Sequence, residues 1–112
     1  MRKLKNYVTS LHQKTKRNYI ERMKNQKIYC MGIAQKYGKD YWDGKRRFGY
    51  GGYRYIEGRW KKMAIKLIKD YKLTKNSRLL DVGCGKGYLL LEIQKIIPEI
   101  KIYGFDISKY AI

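Results

Sequence analysis

The sequence predicts an α/β fold, in which N-terminal helices and a glycine- and aromatic-rich loop lead into a βαβ unit. Three observations carry this. Two short apolar runs, Arg78–Val82 and Ile100–Asp106, flank an amphipathic segment, and a glycine cluster follows the first run. Upstream of them, apolar residues recur at a helical period. Between lies a stretch, residues 38–58, that holds six of the eleven glycines.

Residues 1–18 are polar and basic with weak periodicity, and read as a flexible or partly helical arm. From Tyr19 the pattern changes. Tyr19, Met23, Cys30, Ile33, Ala34 and Tyr37 fall near offsets of 3.6, with Gln26 in the missing step, which predicts a helix over residues 15–36. Gly38 is its expected stop. Glycine at the density of residues 38–58 opposes regular helix, and the aromatics there indicate a packed loop. Trp60, Ala64, Leu67, Ile68 and Tyr71 then mark the core face of a second helix, with Lys61, Lys62, Lys66 and Lys69 on the other face. Thr74–Ser77 reads as a turn. Tyr88–Ile97 is the helix of the βαβ unit and Pro98 ends it. Ser108 is the expected N-cap of a following helix.

Composition narrows the function classes. With 112 residues, the chain holds one small domain and not two with separate cores. Two cysteines, Cys30 and Cys84, make neither a disulfide scaffold nor a CxxC zinc site, and a single histidine, His12, leaves no multi-histidine metal centre. No metal site is expected. No apolar run approaches the ~18 residues of a membrane span, and no apolar segment follows the basic N-terminus as in a secretory signal. A cytoplasmic protein without membrane insertion is expected. The net charge of +18 divides as +8 over residues 1–27, +9 over 28–77 and +1 over 78–112. A basic surface over the first two thirds suits an anionic partner, nucleic acid included, although frequent Lys, Ile and Tyr, all with A/T-rich codons, also fit a biased genome that supplies much of this charge.

The residues that carry chemistry are Asp81-Val82-Gly83-Cys84-Gly85-Lys86-Gly87. Glycines at a strand end let the chain turn sharply and let a ligand meet the main chain without a Cβ in the way. The helix that follows presents N–H groups to an anionic part of the ligand. An acid at the end of the next strand, Asp106, is placed to accept from ribose hydroxyls. A P-loop fails, because the sixth residue from Gly83 is Tyr88. A dinucleotide GxGxxG fingerprint fails at the same residue.

The pattern DxGxGxG, with an acid closing the second strand, is an S-adenosylmethionine (SAM) signature. The segment LLDVGCGKGYLLLEIQKIIPEIKIYGFDIS, Leu79–Ser108, closely resembles the class I SAM-dependent methyltransferase family. Upstream, Asp40–Ala64 (DYWDGKRRFGYGGYRYIEGRWKKMA) and the opening residues Ser10–Arg17 are similar to a group of bacterial members, some encoded among surface-sugar biosynthesis genes. The resemblance implies a basic helical N-terminal or cap region over residues 1–77. It also implies that residues 78–112 begin a SAM-binding, Rossmann-like domain. Gly83, Gly85 and Gly87 would line the methionine part of SAM, with Cys84 in the same cofactor-binding loop, and Asp81 would face its amino group. Asp106 would bind the ribose, and Ile107 would pack on the adenine. Cys84 is then a small loop residue and not a reactive thiol.

The family's sheet has more strands than the two supplied here, including the one that usually carries acceptor residues. The resemblance therefore implies an incomplete, truncated N-terminal portion, inactive by itself, and it names no catalytic residue. The function expected is methyl transfer from SAM to an unidentified acceptor, a small molecule or sugar-related metabolite. The alternative is a basic nucleic-acid-binding module or an RNA methyltransferase. In that reading the segment Phe48–Tyr55 would stack on bases; in the first it is a cap over the cofactor or acceptor pocket.

Overall fold

A computed structural model describes residues 5–13 and 27–112. The βαβ unit forms where the pattern puts it. Strand β1 runs Arg78–Val82 and pairs in parallel with β2, Lys101–Phe105, with Leu79 opposite Ile102 and Asp81 opposite Gly104. The crossover helix, Tyr88–Ile96, ends two residues before Pro98, whose ring and missing N–H prevent continuation. A helix over Lys61–Tyr71 packs beside it.

The two helices cover one face of the sheet. Ala64, Ile93 and Ile100 form the buried centre, with Leu67, Ile68, Leu79, Leu89 and Ile102 packed around it. Strand residues alternate faces, so Leu79 and Ile102 point into this core. On the opposite face Leu80, Val82, Tyr103 and Phe105 are exposed, Val82 by 72%. Tyr71 departs from its expected place in the core and is 59% exposed. It is the last helical residue before Lys72 turns into the left-handed region (φ 51°), and Lys5 stands over its ring.

The N-terminal part adds short elements. Thr9–Gln13 forms a first helix, α1, started by Asn6, whose Oδ1 accepts from the Val8 and Thr9 N–H groups. Tyr7 OH donates to Asp70 and ties this segment to the Lys61–Tyr71 helix. Of the helix expected over residues 15–36, the described part is α2, Lys27–Ala34, with Cys30 buried in it; residues 14–26 lie outside the described residues. Its stop is Tyr37, at φ 49°, and not Gly38, which is extended.

Residues 38–58 are less irregular than their glycine content predicts. A helix, α3, spans Lys39–Asp43, and a 3-10 turn spans Arg46–Phe48. Gly38 and Gly44 bracket a glycine-free run, Lys39-Asp40-Tyr41-Trp42-Asp43, so the glycines act as its ends. The helices Lys61–Tyr71 and Tyr88–Ile96 are accordingly α4 and α5. After β2, Ser108 Oγ accepts from the Ala111 N–H at 3.2 Å, as a cap would, but residues 109–111 form only a turn. No helix among the described residues is long and apolar enough to cross a membrane.

Candidate functional site

Parallel pairing of β1 and β2 brings their C-terminal ends to one edge of the sheet, and the glycine turn springs from that edge. Gly83 N–H and Cys84 N–H both donate to the Phe105 carbonyl, at 2.6 and 3.1 Å. Gly83, Gly85 and Gly87 lie at φ 82°, 57° and 76°. Three left-handed residues within five positions are what a chain without Cβ atoms tolerates. Gly87 then caps α5, whose first-turn N–H groups have no partner within the helix.

Asp106 holds the turn in place. One carboxylate oxygen accepts from Gly85 N–H and the other from Ser108 N–H, both at 2.7 Å. Asp81 is half-buried at the end of β1. Burial, and secondarily the charge of Asp106, pushes its carboxyl above the usual range. Two acids at one strand edge make a place where a cationic group is welcome. Gly83 and Gly87 face open space, since a Cβ on either would meet nothing within 4 Å. The structure thus brings Asp81, Gly83, Gly85, Gly87 and Asp106 together. Ile107 lies beside them, 77% exposed.

Cys84 packs against the second strand. Its Sγ lies against Gly104, and burial together with Asp81 and Asp106 raises the thiol above its ordinary value. It is a protonated packing residue in this setting.

The residues the pattern did not single out come from the segment 37–55 and from the turn itself. Trp42 is buried, and its Nε1–H donates to Ser108 Oγ at 2.9 Å and to the Tyr37 carbonyl at 3.2 Å. Lys86 reaches Asp43 at 2.9 and 2.8 Å and the Tyr53 carbonyl at 2.6 Å. The Asp43 carboxyl is drawn down to about 2 by its bonds from Lys86 and then Tyr110, against a smaller opposing effect of burial. Tyr50 stacks on Trp42, and Tyr53 on Tyr88 of α5. Burial pushes the Tyr53 hydroxyl up to about 12. Tyr55 donates to the buried Glu92 of α5. The only local signal for this network was a lysine inside the glycine turn and a tryptophan–acid pair ahead of the aromatic loop.

The segment 37–55 is therefore packed on the glycine turn and on α5, and its aromatics are engaged with one another. No curated protein and no solved structure matches the chain. Residues 73–112, which contain β1, the glycine turn, α5, β2 and Asp106, match the family model described as a methyltransferase domain, in agreement with the class I SAM-dependent methyltransferase family.

Proposed function

We propose that the chain is a cytoplasmic SAM-dependent methyltransferase protein in which residues 78–112 supply the cofactor-binding edge of a Rossmann-like sheet and residues 1–77 a basic cap region. The observation that carries this is the convergence of Asp81 and Asp106 on a turn of three left-handed glycines. SAM has a cationic amino group and a sulfonium for the acids, ribose hydroxyls for Asp106, and a carboxylate for the N-terminus of α5. When bound it supplies the activated methyl group. The protein's share is to fix that group in line with the acceptor and keep water away. Gly83 and Gly87 give the main-chain access, Asp81 orients the amino end, and Ile107 offers an apolar surface to the adenine.

A small molecule is the acceptor class we favour, because Trp42 and Phe48 of the segment 37–55 are buried and Tyr37, Tyr41, Tyr50 and Tyr53 are engaged with neighbouring rings. RNA as acceptor has one observation in its favour: Lys61, Lys62, Lys66 and Lys69 form an exposed row on α4. Titration calorimetry of the chain with SAM and S-adenosylhomocysteine tests the cofactor reading. Saturable binding that Asp106→Ala weakens supports it. No saturable heat with either compound, in the wild type and in variants that loosen the segment 37–55 alike, overturns it. RNA binding that tightens as salt falls, in chain that fails to bind either compound, would favour the module reading.

A further inference from the structure

The segment 37–55 lies across the glycine turn as a strap, held at both ends. At one end Ser108 Oγ accepts from Trp42 Nε1 at 2.9 Å and donates to the Tyr37 carbonyl. At the other, Tyr55 donates to Glu92. Between them Asp43 accepts from Lys86 (2.9 and 2.8 Å), from Tyr110 OH (2.6 Å) and from Tyr53 N–H (3.0 Å). The Lys86–Asp43 pair is partly shielded, with side chains 19% and 28% exposed.

What the strap covers is specific. A Cβ on Gly85 would stand 2.8 Å from Trp42 Cη2 and 3.3 Å from Cζ3, so the indole rests directly on that glycine. Gly83 and Gly87 carry no such cover. The Gly85 N–H is already given to Asp106, whose second oxygen is held by Ser108, the residue that receives Trp42. A ligand that needs the bare main chain at Gly85 meets the Trp42 indole there, and at the Asp106 carboxylate it meets one acceptor position already in use on each oxygen.

We infer that the strap is an autoinhibitory latch, with Trp42 as the plug on Gly85 and Asp43–Lys86 as the catch, so that closure of the strap and occupation of the glycine turn compete. This rests on the cofactor reading above. Apparent affinity is the intrinsic affinity scaled by the open fraction, so weakening the catch strengthens binding. A strap that served as a wall of the bound site would give the opposite sign.

The test uses S-adenosylhomocysteine as probe. In a Trp60→Phe chain, Trp42 is the remaining tryptophan, and its quenching by acrylamide reports its cover. Saturating S-adenosylhomocysteine should increase that quenching, and Asp43→Asn should lower Kd by about threefold or more. Lys86→Gln should do the same, which guards against a folding defect peculiar to one variant; far-UV circular dichroism confirms the fold of each. Quenching that is unchanged or reduced on binding, or a Kd that rises in folded Asp43→Asn and Lys86→Gln, overturns the latch while leaving the cofactor reading intact. Absence of binding by the wild type and by both variants overturns the cofactor reading and the latch with it.

Discussion

The Sγ of Cys84 fills the space beside Gly104: a Cβ there would lie 2.6 Å from the sulfur and 3.2 Å from Leu90 Cδ1. Gly104 also stands opposite Asp81 in the strand register. The thiol thus seals the turn against β2 directly under the acid pair. Gly104→Ala should cost about 1–3 kcal/mol, the usual range for overpacking. Combining it with Cys84→Ala should recover part of that loss. Urea unfolding of the two single variants and the double variant measures the coupling; additive losses would mean the two positions do not touch.

Asp106→Ala removes the acceptor of two main-chain N–H groups as well as the ribose partner. Hydrogen bonds to a charged group are worth about 1.5–3 kcal/mol, so S-adenosylhomocysteine affinity should fall roughly 10- to 150-fold. The denaturation midpoint should fall too, because Gly85 and Ser108 lose their anchor. Calorimetry showing unchanged affinity would remove Asp106 from the site.

Gly85→Val forces a side chain at φ 57° and against the Trp42 indole. Left-handed strain costs about 1–3 kcal/mol before the clash is counted. The variant should keep most of its far-UV signal, unfold at lower denaturant, show red-shifted tryptophan emission and lose cofactor binding. A variant that bound normally would refute this reading of the turn.

Asp81→Asn should separate stability from binding. Its carboxyl is raised in the folded chain, chiefly by burial. An acid so raised is disfavoured as an anion, and the folded state gains stability as pH falls through that value. The amide should therefore increase the melting temperature at neutral pH. It should also weaken S-adenosylhomocysteine about tenfold or more, through the lost partner of the amino group. In the wild type, affinity should fall as the solution is acidified and Asp81 takes up a proton. Affinity in Asp81→Asn that still fell in the same way would assign the effect elsewhere.

The open sheet face predicts self-association. Leu80, Val82, Tyr103 and Phe105 expose a contiguous apolar surface on a chain of net charge +18. Salt screens that repulsion to about 8 Å at physiological ionic strength, so association should grow with added salt. Sedimentation of nuclease-treated chain over a salt series checks the trend. A monomer at every salt concentration would show that the face is innocuous.

The βαβ unit was legible because its signals are local. The apolar runs of β1 and β2, the glycines between them and Pro98 each act within a few residues, and parallel pairing then carries Asp81 and Asp106 to one edge. The helix Lys39–Asp43 was not legible, because glycine density averages over a segment while the helix lies between glycines. Tyr71 fitted the periodic face of α4, yet it is the last residue of that helix, next to the left-handed Lys72, and its side chain is exposed.

The sequence by itself determined the strand–turn–helix–strand order, the identity of the turn and the acids that flank it, since backbone sterics and hydrophobic periodicity are properties of neighbouring residues. Tertiary structure alone decided that Trp42 would rest on Gly85 and that Asp43 would hold Lys86 across 43 positions. Contacts at such separation leave no period in the sequence. They are set by which surfaces remain to be covered once the sheet has formed, and here the glycine turn was one such surface.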